Sequence, residues 1–196
     1  MISDCKRWRH MIAGVILLML PLTAPGAAVE QNGASFDEST QLGGETLGLS
    51  GTGVAKYRIV ITVYAAGLYL PSGTGVDEVL AADTTRSLAI EYFHDISAAD
   101  IIKAARTKLE EQLSSSQLEK LAPKIKQFHS LYQAVSDGDR YRMDYVPDKG
   151  TQLLFNGEPV GTVSGADFAA AYFGIWLDPD DPLSKSLRRD LLAGAD

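Results

Sequence analysis

The sequence predicts an α+β fold built around a largely antiparallel sheet. Two stretches rich in β-branched and aromatic residues, 56–70 and 86–93, read as strands. Two amphipathic helical segments follow, and after them come three short strands separated by tight turns, of which Asn156-Gly157 is the strongest hairpin signal. Strands that succeed each other through short turns pair antiparallel, so this order favours α+β over alternating βαβ units.

The composition is that of an ordinary globular protein. The chain has 196 residues, of which 45% are hydrophobic and 22% are charged, and its formal net charge is -7. This length suits one domain. The acidic balance argues against a nucleic-acid partner, because phosphate recognition needs a clustered basic face. The one cysteine, Cys5, excludes an internal disulfide and a cysteine-rich metal site.

The first 28 residues have the three-part layout of a secretory signal peptide. A basic segment, Lys6–Arg9, precedes an apolar run at 11–22, and small residues follow up to Ala28. The apolar run is shorter than the ~20 residues of a spanning helix. We therefore expect cleavage after Ala28, a periplasmic or secreted protein, and no stable membrane span once the signal is removed. An uncleaved N-terminal anchor is the alternative.

The remainder of the chain is expected to consist of an arm and one domain. Residues 29–44 are polar and glycine-rich, which predicts a flexible N-terminal arm or a short entry strand. Residues 45–196 contain no linker, repeat or low-complexity tract and are assigned to a single domain. Within it, 45–54 is a glycine-interrupted strand, 56–70 is the clearest strand, and 76–82 is a candidate short helix.

Capping residues and apolar spacing predict two helices in the middle of the chain. Ser97 is the expected N-cap of the first, with Asp100 at the capping-box position. Ser116 and Glu119 form a second capping box, and Pro123 is expected to kink or delay the helix that follows. Apolar residues recur in that helix at spacings of three and four, which makes one apolar stripe. They are Leu118, Leu121, Ile125, Phe128, Tyr132 and Val135.

The C-terminal part is predicted to hold three strands and two helices. The strands are expected at 139–146, 151–155 and 158–163, and a helix at 165–177. Asp181 is expected to cap the last helix. Alternation along a strand places every second residue on one face, which defines two aromatic-containing faces. These are Leu88, Ile90 and Tyr92 in one strand and Tyr141, Met143 and Tyr145 in another.

The sequence lacks the common catalytic and cofactor motifs. It contains no phosphate-binding glycine loop and no nucleophile elbow. After removal of the signal only His94 and His129 remain as histidines, so no transition-metal site and no cofactor is expected. The acidic stretch at 178–181 does not have the spacing of a calcium loop.

The strand predicted at 56–70 carries the most functional information. Its odd positions are almost wholly apolar, whereas its even positions mix charge, hydroxyl and apolar groups. A side facing solvent would give this pattern. So would one wall of a ligand cleft, in which a few polar groups orient an apolar molecule. The even positions are Lys56, Arg58, Val60, Thr62 and Tyr64.

Several segments resemble the chalcone isomerase-like family. Ser-Gly-Thr-Gly-Val-Ala-Lys-Tyr-Arg at 50–58 and Val-Tyr-Ala-Ala-Gly-Leu-Tyr-Leu-Pro at 63–71 resemble its core motif. Ile175-Trp-Leu177 resembles its C-terminal half, and the resemblance, closest to the exported bacterial branch, covers about residues 45–194. It implies an open-faced β-sandwich, with a large antiparallel sheet and helices packed on one side.

The resemblance implies two kinds of function. Plant enzymes of this fold cyclise a chalcone, with an arginine holding the phenolate and hydroxyl residues polarising the ketone. Non-catalytic relatives bind fatty acids through an arginine and a tyrosine. Tyr64 matches that tyrosine, but Lys56 stands where the family has its arginine, and a lysine cannot make the same planar bidentate contact. Arg58 is an alternative cation.

We therefore expect an exported, non-catalytic protein that binds a fatty acid or another apolar small molecule through Tyr64, Thr62, Lys56 and Arg58. If 56–64 is one strand, Lys56 and Tyr64 lie about 26 Å apart, and the basic partner of Tyr64 comes from another strand. No catalytic residue is assigned. An intramolecular lyase of the chalcone isomerase type and an envelope structural or partner-binding module are the alternatives. Trp176 and the aromatic residues around it are expected in the core rather than at the ligand.

Overall fold

The structure is a computed structural model that describes residues 27–57 and 60–196. These residues form nine strands and four helices. The strands are β1 (Ala28–Gln31), β2 (Ala34–Asp37), β3 (Ser39–Leu42), β4 (Glu45–Tyr57), β5 (Ile61–Leu70), β6 (Arg86–Tyr92), β7 (Arg140–Val146), β8 (Gly150–Phe155) and β9 (Glu158–Val163). The helices are α1 (Ala98–Gln112), α2 (Ser115–His129), α3 (Ala166–Leu177) and α4 (Lys185–Leu191).

Strands β3 to β9 form one seven-stranded antiparallel sheet in which neighbours along the chain are also neighbours in space. Helices α1 and α2 connect β6 to β7, and α3 and α4 follow β9. The helices pack on one face of the sheet, which we call the inner face, and the β1–β2 hairpin packs on the opposite, outer face. The predicted α+β open-faced sandwich is therefore confirmed.

Helix α3 forms the centre of the inner layer. Apart from Asp167 in its first turn, it is apolar, and its residues 172–177 are all buried, as expected for a helix that packs inside the protein. The rings of Phe168 and Tyr172 pack against the ring of Phe128 in α2, with centroid-to-centroid distances of 5.1 and 4.6 Å. All three residues are fully buried, so they bind α2 and α3 into one core with the sheet.

The single strand predicted over 56–70 is wrong, because the chain turns back within it. β4 ends at Tyr57 and β5 begins at Ile61, and the two strands pair antiparallel. Ala55 lies opposite Tyr64, and the register then shifts so that the next pair skips one residue of β5, as in a β-bulge. The residues around the turn include no glycine, proline, asparagine or aspartate, so the sequence carries no turn signal there.

The segment predicted as an arm or an entry strand contains three strands. β1 and β2 form a separate two-stranded hairpin, and β3 pairs with the beginning of β4. Phe36 of β2 is fully buried against Gly67 of β5. A Cβ atom at Gly67 would lie 2.6 Å from the Phe36 ring, so this contact requires glycine. Residues 1–26 of the predicted signal peptide lie outside the described residues, and Ala28, its expected last residue, begins β1.

The helix starts agree with the sequence in one case and differ in another. Ser97 caps α1 as predicted, because its hydroxyl accepts a hydrogen bond from the Asp100 amide. The capping box of α2 is formed by Ser114 and Gln117, two residues before the predicted one. Three consecutive serines offer equivalent caps, so local chemistry does not choose among them. α2 ends at His129, and the last two members of its predicted stripe lie beyond the helix.

The C-terminal strands lie where the sequence places them, within one residue at each end. Asn156 and Gly157 both have positive φ, 49° and 87°, as a type I′ hairpin turn requires. The cap of α4 is Ser184, not Asp181, and residues 76–82 form turns rather than a helix. Within the described part of the chain, no helix has the length and apolarity needed to cross a bilayer.

Candidate ligand-binding site

A mostly apolar cavity of about 140 Å³ lies between the inner face of the sheet and helices α1 and α3. Its floor includes Leu88 and Ile90 of β6 and Met143 of β7, and its roof includes Ala105 of α1 and Ile175 of α3. The alternation that the sequence predicted for β6 and β7 is confirmed, because the residues of these shared faces are buried toward the helices.

The mouth of the cavity lies beside α1 and the loop before α4. Asp100 and Ala104 of α1 are exposed, and Leu183 retains 45% of its accessible surface. Among the described residues that line the cavity, Asp100 is the one side chain that is charged at neutral pH. The cavity therefore has an acidic rim and an uncharged interior.

Tyr64 and Trp176 form a buried hydrogen-bonded pair in the cavity wall. The indole Nε1 of Trp176 donates to the hydroxyl oxygen of Tyr64 over 2.8 Å. The hydroxyl proton of Tyr64 has no acceptor among the described residues. Burial raises the pKa of Tyr64 to about 12, against a smaller opposing effect of the Trp176 hydrogen bond. Tyr64 therefore remains a protonated donor at physiological pH.

Tyr92 stands directly opposite Tyr64 on the neighbouring strand. The two rings meet edge to face with centroids 5.6 Å apart, and both residues line the cavity. The Tyr92 hydroxyl has no hydrogen bond to any residue in the described ranges. Its pKa lies well above the ordinary value, mainly because burial removes water from the phenol, so Tyr92 is a second protonated donor.

Two further tyrosines at this end of the cavity already have hydrogen-bond partners. The hydroxyl of Tyr141 accepts from the Gln133 amide over 2.7 Å, and the hydroxyl of Tyr132 is bonded to that of Tyr172 over 3.3 Å. Tyr141 also donates to the Gln133 carbonyl over 3.2 Å, whereas Tyr132 accepts from Tyr172, so the proton of Tyr132, like those of Tyr64 and Tyr92, has no acceptor among the described residues. Of these three tyrosines, Tyr64 and Tyr92 stand directly opposite each other on neighbouring strands.

Two buried cations, Lys108 and Arg86, interact with residues outside the cavity. Lys108 of α1 is bonded to Asp181 at 2.8 Å and to Glu111 at 3.2 Å. Arg86 starts β6, is fully buried, and stacks over the rings of Tyr145 and Phe173. At ~3.3 Å per residue it lies about 20 Å along β6 from the tyrosine end of the cavity. No group of three His, Cys, Asp or Glu side chains in residues 27–57 and 60–196 is placed to hold a metal ion.

The structure separates the predicted site residues. Tyr64 lines the cavity, whereas Lys56 and Thr62 pair with each other across β4 and β5 and do not line it. The residue opposite Tyr64 is Ala55, so the β4 position beside that tyrosine carries no charge. Arg58 lies outside the described residues. A ligand-binding role of Lys56, Thr62 and Arg58 stays a prediction.

Two cavity residues did not appear among the predicted site residues. Tyr92 shares its strand face with Leu88 and Ile90, so the alternation in 86–93 was a usable signal for it. Trp176 was assigned to the core, and it is buried there, but it also lines the cavity and binds the Tyr64 hydroxyl. Nothing in the sequence relates Trp176 to Tyr64, which lie 112 residues apart.

A sequence model of the chalcone isomerase-like family matches residues 28–193. The chain belongs to the chalcone isomerase-like family. This confirms the resemblance found in the core motif, while membership of an exported bacterial branch stays a prediction. No curated protein gives a significant match to the chain.

Among solved structures, this chalcone isomerase-like chain is similar to a fatty-acid binding protein of Arabidopsis thaliana. The TM-score is 0.67 and the identity 17%, over 85% of this chain and 96% of that chain. At this identity the similarity shows the shared fold. The cavity and its tyrosines are properties of this chain and come from its own geometry.

Proposed function

We propose that this protein binds an apolar small molecule, with a fatty acid as the leading candidate, in the cavity beneath α1. The observation that carries the proposal is an apolar cavity at one end of which Tyr64 and Tyr92 stand opposite each other, with hydroxyl protons that have no acceptor among the described residues. Ligand pockets typically combine apolar walls with a few polar groups that orient the ligand. The similar protein of Arabidopsis, described as a fatty-acid binding protein, supports the same ligand class.

The size of the cavity limits how much of a ligand it encloses. A cavity of about 150 Å³ lined by apolar side chains holds a molecule the size of benzene. The cavity here is about 140 Å³, so it encloses one end of a long aliphatic ligand and not the whole of it. We propose that the rest of the aliphatic ligand extends out through the mouth of the cavity, where Ala104 and Leu183 offer apolar contact.

Filling the cavity tests this proposal. Ala105 is nearly buried and lines the cavity, so Ala105→Leu adds three carbon atoms where the ligand is proposed to lie. Ala99 is exposed on the same helix and does not line the cavity, so Ala99→Leu is the matched control. We expect an apolar ligand to copurify with the wild type and with Ala99→Leu, and to be reduced at least severalfold in Ala105→Leu, as measured by native mass spectrometry.

The proposal fails if no apolar ligand copurifies with the wild-type protein from its own host and none binds in a screen of fatty acids. It also fails if Ala105→Leu and Ala99→Leu retain the same ligand at the same occupancy. A ligand held elsewhere on the surface would give that second result.

A second candidate function is an intramolecular lyase reaction. Tyr64 and Tyr92 are opposite each other, and two hydroxyl donors directed at one ketone oxygen would stabilise negative charge that develops there during conjugate addition. The loss of chalcone absorbance with time measures this activity. A rate equal to that of the buffer alone would exclude it for chalcone.

The export of the protein is also a proposal. The basic, apolar and small-residue segments of 1–28 support it. Cell fractionation followed by N-terminal sequencing tests it, and the expected N-terminus is Val29 in the extracytoplasmic fraction. A protein that remains in the cytoplasm and begins at Met1 would contradict it.

A further inference from the structure

We propose that the cavity recognises an uncharged polar end of its ligand, such as a carbonyl, ester, amide or protonated carboxyl group, and discriminates against an ionised carboxylate. This inference rests on the proposed function and adds the chemistry of the ligand's polar end: a fatty acid would bind in its protonated form. Two observations support it: tyrosine hydroxyl protons in the cavity have no acceptor among the described residues, and no described cation lines the cavity.

The donors match a single neutral acceptor. Tyr64 already accepts a hydrogen bond from Trp176 and has one proton left, and Tyr92 has one proton and no hydrogen-bond partner among the described residues. The two residues are opposite each other in register, with ring centroids 5.6 Å apart. A carbonyl oxygen has two lone pairs, so one such oxygen accepts both protons.

The described residues that line the cavity include no group that compensates a negative charge. Its described lining includes no lysine, arginine or histidine, and Asp100 at the rim would repel an anion. Transfer of an ionised carboxylate from water to an apolar site is far more costly than transfer of a neutral polar group, unless a cation is paired with it. Even with Tyr132, whose proton also has no acceptor among the described residues, three phenol hydroxyls leave one of the four lone-pair sites of a carboxylate unsatisfied and supply no positive charge.

Three of the described cations do not line the cavity, and a fourth, Lys103, lies next to Asp100 outside its mouth. Lys108 is neutralised by Asp181 and Glu111, Arg86 lies about 20 Å away along β6, and Lys56 does not line the cavity. From each element packed around the two hydroxyls, the titratable groups that face the cavity are tyrosines and one aspartate. They are Tyr64 on β5, Tyr92 on β6, Tyr141 on β7, Asp100 on α1 and Tyr132 after α2.

The experiment compares ligands of equal length that differ at the polar end. Decanoic acid and decanamide are nearly isosteric, but only the acid is ionised near neutral pH, because carboxylic acids titrate at about pH 4. Decane lacks the polar end. The full chain with Trp8→Phe retains Trp176, in the cavity wall, as the single tryptophan of the two in the sequence, and its fluorescence reports binding.

We expect decanamide to bind at least tenfold more tightly than decanoic acid at about pH 7.5, and the affinity for the acid to approach that for the amide as the pH falls to about 4. Tyr92→Phe should weaken decanamide binding by about 3- to 10-fold, as loss of one hydrogen bond implies, and should leave decane binding unchanged. Arg58→Met separates this inference from the role in carboxylate binding that the sequence predicts for Arg58: the inference requires the ratio of the two ligands' affinities to stay the same.

Three outcomes would overturn the inference. Decanoic acid could bind as tightly as decanamide at about pH 7.5. Tyr92→Phe could leave decanamide binding unchanged. Arg58→Met could weaken the acid selectively, which would show a cation at the ligand's polar end. In each case an apolar ligand still binds and the proposed function stands, whereas failure of all three ligands to bind would contradict the proposed function itself.

Discussion

The two faces of the sheet use polar residues in opposite ways. On the inner face, β5 and β6 present Tyr64 and Tyr92, which are uncharged and have hydroxyl protons without an acceptor in the described part of the chain. On the outer face, β6 and β7 present charged side chains that are paired with each other. Arg140 is bonded to Glu91, and Arg142 is bonded to Asp144 at 2.8 Å. β6 therefore carries both arrangements on adjacent residues, with Glu91 on the outer face and Tyr92 on the inner face.

The difference follows from what covers each face. The outer charges lie next to solvent and to the β1–β2 hairpin. Arg140 donates to the Ser35 carbonyl over 2.8 Å and stacks over the ring of Phe36. Ion pairs there have water on one side, which limits the cost of desolvation. The inner face is covered by helices, so a charge is desolvated there, which lowers the pKa of the buried Arg86 to about 10. Around the cavity, the polar groups of this face are neutral hydroxyls.

The largest expected effect is a loss of stability, and it should be greater on the inner face because that face contains the larger hydrophobic core. Phe168→Ala on the inner face removes a fully buried ring that contacts Phe128 and Tyr172, and should lower the free energy of unfolding by about 3–5 kcal/mol. Phe36→Ala on the outer face removes an equally buried ring, but should cost less because the separate β1–β2 hairpin can detach locally. Denaturant titration measures both. Equal losses would contradict this ranking.

A smaller effect is expected from an outer ion pair. Arg142→Met leaves the carboxylate of Asp144, whose side chain is 4% exposed, without its partner. Because the arginine itself is 37% exposed, water screens the pair, and we expect a loss of about 1.5–3 kcal/mol in the free energy of unfolding. Arg106→Met breaks an exposed pair with Glu110 and is the control, with little expected change. If the two variants lose the same stability, the burial of Asp144 is not what matters.

A pH-dependent effect below about 1 kcal/mol is expected at the solvent edge of the helical layer. The hydrogen bond from Lys124, with a further one from Lys120, lowers the pKa of Asp167 to about 2. A carboxyl group whose folded pKa lies below its unfolded value of about 3.9 stabilises the fold above that value and loses this contribution as the pH falls toward 2. The stability difference between the wild type and Asp167→Asn should therefore vanish over this interval in thermal unfolding. A difference that is constant with pH would contradict the ion-pair explanation.

The smallest effect is expected where the inner face has a hydroxyl without a partner. Tyr92→Phe should change the free energy of unfolding by less than about 0.5 kcal/mol, because no hydrogen bond to a described residue is lost. Tyr145→Phe is the matched comparison, since that hydroxyl donates to the Ala82 carbonyl over 2.6 Å, and it should cost about 1 kcal/mol. A substantial loss in Tyr92→Phe would mean that its hydroxyl supports the fold rather than awaiting a ligand.

The sequence by itself determined the fold class and most of the elements. The α+β order, the strands β6 to β9, the Asn156-Gly157 turn and the Ser97 cap all depend on interactions within a few residues of the chain. Hydrophobic period and cap chemistry report such interactions directly. The alternation in β6 also indicated which of its residues face the core, although Tyr92 was not recognised there as a site residue.

The tertiary structure alone decided the candidate site. The turn between β4 and β5 has no local signal, and without it Tyr64 could not be placed opposite Ala55 on one side and Tyr92 on the other. The contact of Trp176 with Tyr64 joins α3 to β5 across the core. Periodicity specifies which face a residue occupies, but not which distant residue it meets there, because pairing depends on how all the elements pack together.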